Sequence, residues 1–325
     1  MNNKNITRIS EIHLLGFQTP ENKRVLIFFL FLSIYFVAIC GNLLIIILVA
    51  YSKSLHFPMY FFLCQLSGSD ILLVTDILSN ILRTLLAKEV VISFSDCIAQ
   101  FYFFDVSETL ECLLLTVMCY DRYLAVCKPL HYVVLMSHHF CWMMVTMCWT
   151  FSISIVLIHT LTISQLQFCG PNIIDHFFCD LEPILALSCS DTTIVQLEVT
   201  LLSTVFVVIP FIIILVSYVY IIITILKIPT ISGRKKVFST CSAHLTVVCM
   251  YYGTLVCVYL IPRTGKSQKI SKFLSLLYTV ATPLLNPVIY SLRNEDLTKV
   301  VKKILNTFCT SLILRTDTIK HLDCT

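Results

Sequence analysis

Asp105 and Glu108 lie three residues apart in a stretch that is otherwise mostly apolar, and an acid–base pair, Asp121-Arg122, stands near its end, before Lys128-Pro129. Residues three apart share one side of a helix. Charged groups cost several kcal/mol in hydrocarbon, so these must face a protein interior or a membrane surface, and each is a functional candidate. Two carboxyl groups on one helical side could attract a cationic ligand such as an amine. The alternative is that they are protonated, or hydrogen-bond Ser107, Thr109 or neighbouring helices. Proline after a basic residue ends the helix at 128–129. No nucleophile–base pair or metal-spaced set stands out, and His138-His139 reads as a solvated loop, so the chain does not read as an enzyme.

The elements that would position these residues follow from composition. The 325 residues are 57% hydrophobic and 13% charged, whereas soluble domains are nearer a quarter charged. The apolar residues come in blocks of about 20, the length that crosses a bilayer. Glycine is scarce and no low-complexity segment occurs, which excludes collagenous and disordered chains. The formal charge of +4 is spread over loops, with no basic stripe for a nucleic-acid partner. Spans are expected near 25–50, 58–82, 94–127, 140–161, 197–226, 237–260 and 271–291. The expected fold is therefore an all-α membrane protein, a seven-transmembrane helix bundle. It divides into an N-terminal segment (1–24) expected to be extracellular, a seven-span membrane domain (25–293) and a segment (294–325) expected to be cytoplasmic. Met1 to Ser10 has no apolar core, so the first span is expected to serve as the targeting anchor. After Asn294, Leu297, Val300, Val301, Ile304 and Leu305 fall on one face and Lys299, Lys302 and Lys303 on another, as in a short helix lying on membrane lipid. Cys309 follows as a palmitoylation candidate.

Lys and Arg divide almost evenly between the two sides, so the positive-inside rule barely sets the orientation. Cysteines do more. Most of the sixteen sit in apolar blocks, where a thiol is a small hydrophobe. Cys97 opens the third span, and from there to Arg122 is a rise of roughly 37 Å, enough to cross a bilayer. Cys97 thus shares a face with the loop cysteines Cys169, Cys179 and Cys189. An even set on one face suggests an oxidising, extracellular side, and four thiols allow three pairings. Free or palmitoylated cysteines are the plainer alternative. Asn5-Ile6-Thr7 is a glycosylation acceptor if this end is lumenal.

Polar residues also recur inside other spans: Asn42, Asp70, Glu111, Asn286 and Tyr290. One shared polar core would satisfy all five. Several extended strings carry them. Met118-Cys119-Tyr120-Asp121-Arg122-Tyr123 runs on to Pro129-Leu130-His131-Tyr132. Pro58-Met59-Tyr60 leads to Asp70. Phe168-Cys169-Gly170-Pro171 leads to Phe178-Cys179-Asp180. Lys235-Lys236-Val237-Phe238-Ser239-Thr240-Cys241 leads to His244-Leu245, and Pro283-Leu284-Leu285-Asn286-Pro287 to Tyr290. With His13-Leu14-Leu15-Gly16-Phe17, these strings resemble the odorant (olfactory) receptor branch of rhodopsin-like, class A, G-protein-coupled receptors over about residues 12–305.

The resemblance implies a receptor that binds small volatile or water-borne odorants in the outer half of the bundle; an amine ligand is what Asp105 and Glu108 add to it. It implies activation of a stimulatory olfactory G protein that raises cAMP, in the plasma membrane of olfactory sensory neuron cilia. It implies the pairings Cys97–Cys179 and Cys169–Cys189. Asp121, Arg122, Tyr123, Tyr218, Asn286, Pro287 and Tyr290 would form the coupling switch, with Arg122 freed from Asp121 as helix six moves outward. Asn42, Asp70 and Glu111 would belong to the polar core, with a sodium ion as cofactor at Asp70 and Glu111. Phe104, Cys112, Phe206, Tyr252, Leu255, Tyr259 and Thr279 join Asp105 and Glu108 as ligand candidates, though periodicity alone does not separate them from bundle core. The sequence departs from the pattern at Cys119, where a small residue is usual, and at Tyr251, which replaces Phe in Phe-Tyr-Gly. Ile261-Pro262-Arg263 begins an unusual third outer loop. A receptor for an endogenous amine or peptide is the alternative; a transporter or channel would show internal repeats and broken helices, which are not evident.

Overall fold

Long apolar runs bounded by polar residues leave the backbone one economical arrangement in a membrane, the helix, which satisfies its own hydrogen bonds. The computed structural model describes residues 9–17, 20–87, 89–169, 171–260, 267–293 and 297–303. Its main helices are α1 (Glu21–Tyr51), α2 (Pro58–Ala87), α3 (Phe94–Cys127), α5 (His138–Ser164), α7 (Thr193–Ser203) continued through a π-turn into α8 (Ile209–Lys227), α9 (Ile231–Leu260), and α10 (Ser267–Leu276) continued into α11 (Thr282–Arg293). Two short helices join them, α4 (Pro129–Leu135) and α6 (Leu181–Leu185), and a last one, α12, covers 297–303. Five spans are long and apolar enough to cross a membrane, and α9, bent by 47° near residue 240, makes a sixth. The seventh is α3, the most polar of the set, which carries Asp96, Asp105, Glu108, Glu111, Asp121 and Arg122.

Each expected span has its helix. Boundaries follow local chemistry. Ser93 caps α3, its hydroxyl accepting from the Asp96 N–H at 3.0 Å, and Ser137 caps α5 by accepting from Phe140 N–H at 3.3 Å. That cap draws His138 into the first turn of α5, where its Nε2 accepts from the Trp142 indole at 2.9 Å. His138 is thus a helical residue rather than a loop one. The surface of α1 and α8 is apolar, with Phe29 58% exposed and Val216 50% exposed, as a lipid-facing wall requires. In α12, Leu297 is buried with Val300 and Val301 packed against the core, while Lys299, Lys302 and Lys303 are exposed. Asn5, Cys309, Ile304, Leu305 and the 310–325 tail lie outside the described residues.

α3 runs through the middle of the bundle and packs on α2, α5 and α8. Its two ends differ. One end, the disulfide end, carries a small sheet. Strand β1 (Glu11–Leu14) pairs antiparallel with β2 (Val90–Ser93) and parallel with β3 (Ile173–Ile174). In β1, Ile12 and Leu14 are fully buried while Glu11 is exposed, the period-two pattern of a strand with one face on the core. Gly16 follows at φ +56°, and a Cβ there would stand 2.6 Å from the Thr84 side chain, so glycine is required twice over. Phe17 then stacks on Phe177 at 4.1 Å. The opposite face, the Arg122 end, has no sheet among the described residues.

Candidate functional site: an acidic cavity and a polar relay along α3

Cys97, in the first turn of α3, is bonded to Cys179, and Cys169 to Cys189, with Cα–Cα distances of 5.5 and 5.8 Å. The first bond clamps the loop between α5 and α7 onto α3. Gln100 reinforces it, accepting from the Cys179 N–H at 3.0 Å and donating to the Asp76 carbonyl at 3.2 Å. Phe178 is buried against Phe104, with ring centroids 5.1 Å apart, and Asp180 caps α6. His13 meets Glu89 and Lys272 meets Asp175 at this end, where Lys272 also lies 5.9 Å from the Phe177 ring centroid.

Beneath this loop is a cavity of about 160 Å³. Phe104, Asp105, Glu108, Thr109, Cys112, Phe206 and Leu255 line it, as do His159, Asp180, Tyr251 and Tyr278. Asp105, Glu108 and Asp180 lie within electrostatic reach of one another, and Glu108 Oε1 is buried without a hydrogen-bond partner. Among the described residues the wall includes no Lys or Arg. Ser107 is not the partner of either acid, because its hydroxyl donates to the Phe103 carbonyl at 2.9 Å. His159 is buried, with Nδ1 3.6 Å from Glu198 Oε2 and its ring edge-on to Phe101. Thr279 is buried outside the wall, donating to Ser275 O at 2.7 Å. Tyr252 likewise packs elsewhere, 4.7 Å from Phe211 centroid to centroid. Tyr259 lies in α9, with its side chain outside the described set.

Deeper, Asn286 donates to Asp70 Oδ2 at 3.0 Å. Pro287 has no N–H, which leaves the Pro283 carbonyl one turn earlier without its helical donor; Asn42 Nδ2 supplies one at 3.0 Å. Gly41 permits the approach, since a Cβ there would lie 3.0 Å from the Pro287 ring. Glu111 is buried within electrostatic reach of Asp70 and Asn286, and Tyr290 within reach of Glu111, Asp70 and Arg122. Oxygen atoms of Asn42, Glu111, Asn286 and Tyr290 are buried without hydrogen-bond partners.

At the Arg122 end, Asp121 is fully buried and accepts from Arg122 at 2.5 and 3.0 Å. Its second oxygen accepts from the Tyr132 hydroxyl at 3.0 Å, which fastens α4 to the pair. Tyr123 packs beside Tyr220. The Leu115 carbonyl, 3.1 Å from His244 Nε2, can only accept, so a neutral His244 carries its proton on Nε2 and its Nδ1 accepts from the Tyr218 hydroxyl at 2.7 Å. One buried imidazole therefore joins α3, α8 and α9. Cys119 takes up a place against α8, its thiol 3.8 Å from the Ile214 carbonyl.

The sequence reading did not single out Asp180, His159, Glu198, Tyr251, Tyr132 or His244 as site residues. His244 and Tyr132 sit within the quoted strings. Asp180 too ends one of those strings, whereas Glu198 carries no local signal, because only the packing of α7 on α5 gives it His159 as a neighbour.

Seven spans with a polar helix at their centre, a loop disulfide-bonded to that helix and an Asp-Arg pair near its far end define a rhodopsin-like receptor bundle. Squid rhodopsin shares the fold, with a TM-score of 0.67 over 91% of this chain and 89% of that one at 14% identity. A family model described as olfactory receptor matches residues 31–307. Olfactory receptor 1M1 of Mus musculus is 43% identical over 306 residues, covering 94% of this chain and 98% of that one. Olfactory receptor 11L1 of Homo sapiens is 44% identical over 309 residues, covering 95% and 96%. The chain belongs to the olfactory receptor family: it is a multi-pass membrane receptor, not an enzyme.

Proposed function

We propose that the chain detects small volatile or water-borne odorants in the cavity under the disulfide-clamped loop and activates a stimulatory olfactory G protein at the Arg122 end, raising cAMP. The observation that carries this is the continuity of α3, which lines the cavity with Asp105 and Glu108 and ends at Arg122. In this reading the disulfide end is extracellular, with residues 1–24 and a glycosylated Asn5. The membrane domain spans 25–293, and 294–325 lies in the cytoplasm. The cell surface is the ciliary plasma membrane of an olfactory sensory neuron.

Carboxyl groups of Asp105, Glu108 and Asp180 around one cavity, with no Lys or Arg among the described residues of its wall, favour odorants bearing an ammonium group. Burial strengthens such a pair because water competes less. The unpartnered oxygens of Asn42, Glu111 and Asn286 beside Asp70 suit a hard monovalent cation, and Asp70 and Glu111 are the residues that would hold sodium there. The ion would supply fixed positive charge against two carboxyl groups. Activation is a population shift in which an agonist binds better to the form with helix six displaced.

Expression with the olfactory stimulatory G protein and a cAMP readout tests this. Amines in a mixed odorant panel are expected to activate the receptor. Asp105→Asn with Glu108→Gln should lower amine potency at least tenfold and spare neutral agonists. Unchanged amine potency in that double variant overturns the amine assignment, and silence to the whole panel despite surface expression overturns the odorant reading.

A further inference from the structure

Helix six is tied to α3 by hydrogen bonds at two levels among the described residues. His244 makes the lower tie, near Arg122. Tyr251 makes the upper one and faces the cavity. Its side chain is buried, and its hydroxyl lies 3.1 Å from the Glu108 carbonyl, 3.4 Å from Glu108 Oε2 and 3.0 Å from Cys112 Sγ. A carbonyl only accepts, so the phenol proton is directed to Glu108, and the Cys112 thiol donates into the phenol oxygen. The neighbouring Tyr252 makes no such bridge; its ring packs against Phe211 and Tyr251. With Phe at position 251, the residue usual in the strings quoted above, this junction would have no hydroxyl. The tie thus depends on the Tyr251 hydroxyl: its nearer acceptor is the Glu108 backbone carbonyl, and the Glu108 carboxyl group, which a ligand in the cavity would meet, shares the same proton at 3.4 Å.

We propose that Tyr251 is the residue through which this receptor senses a ligand's hydrogen-bond-donating group. A donor that engages Glu108 Oε2 draws the carboxyl group away from the Tyr251 hydroxyl, weakens the hold of helix six (α9) on α3 and so favours the outward position of that helix. A purely apolar ligand fills the same cavity without breaking the tie. Tyr251 acts here as a positioning and specificity-determining residue. The proposal rests on the reading of the cavity as the ligand site and of helix six as the moving element.

The test uses the full-length receptor at matched surface density, without ligand. Tyr251→Phe should raise basal cAMP about three- to tenfold, the population shift expected from losing one or two hydrogen bonds. The same variant should speed reaction of Cys112 with a small thiol reagent, followed by peptide mass spectrometry, since the thiol loses its acceptor and helix six no longer covers it. Should Tyr251→Phe fail to reach the surface, Tyr251→Met, apolar and flexible, takes its place in both measurements. A rise in both supports the proposal. No rise in either overturns it. Faster labelling at wild-type basal cAMP overturns it too, leaving Tyr251 as packing alone, and raised cAMP with unchanged labelling means helix six was freed elsewhere. Silence of the wild-type receptor to every odorant would count against the ligand reading while leaving the ligand-free comparison intact.

Discussion

The two ends of α3 are held by different kinds of bond. At the disulfide end, segments distant in sequence are fused by covalent links and a backbone ladder: Cys97 to Cys179, Cys169 to Cys189, and β1 between β2 and β3. At the Arg122 end, the connections are side-chain hydrogen bonds, Arg122 and Tyr132 on Asp121 and His244 between Tyr218 and Leu115. Each such bond is worth about 1 kcal/mol net, somewhat more where a charge takes part. One end is covalently fixed and the other held by bonds that can be exchanged singly, which suits the proposed function of a receptor that keeps its ligand site while opening a coupling site.

The contrast breaks most readily at its covalent side. The Cys97–Cys179 bond closes a sequence separation of 82 and Cys169–Cys189 one of 20. Chain-entropy reasoning assigns them about 4–5 and about 3 kcal/mol. Cys97→Ser should therefore remove most surface-expressed receptor, and Cys169→Ser a smaller part, measured by flow cytometry and by thermal unfolding in nanodiscs. Equal losses would mean that the loop's own fold, rather than its clamp on α3, sets stability. Next in size is Ile12→Ala. Removing a fully buried side chain from β1 costs about 2–4 kcal/mol, confined to the cap. Hydrogen exchange should quicken at Val90–Ser93 and Ile173–Ile174 and stay unchanged near Arg122. The smallest effect is expected from Tyr132→Phe, which deletes one bond to Asp121 at a cost of about 1 kcal/mol. Basal cAMP should rise about fivefold with little change in thermal stability, and a fall in unfolding temperature instead would show that this end is structural too.

The same contrast separates what could be read in the sequence from what could not. Helices announce themselves locally, so the seven spans and the stop at Lys128-Pro129 were legible, whereas the Ser137 cap that draws His138 into α5 was not. The acids of α3 stood out because hydrocarbon makes any carboxyl group conspicuous. Strand β1 was not legible: four residues are too few to show a period, and its partners lie in two later loops. The disulfide pairing came from family resemblance, since spacing left three possibilities open. Asp180, His159 and Glu198 look ordinary in sequence and acquire meaning only where α5, α7 and the loop converge on α3. Tyr251 was visible as a departure, yet Tyr252 drew the attention; what distinguishes them is the direction of a hydroxyl, which follows from the packing of α9.

Strand β1 carries a consequence for the chain's manufacture. It is synthesised before its partners Val90–Ser93 and Ile173–Ile174, which follow the second and the fourth span. Until then Ile12 and Leu14 have no core to enter, and an unpaired strand edge invites wrong associations. The cap is thus completed only when β1 pairs with segments made after it, and a bulky group placed just ahead of Glu11 would interfere with that docking, well before any ligand is met.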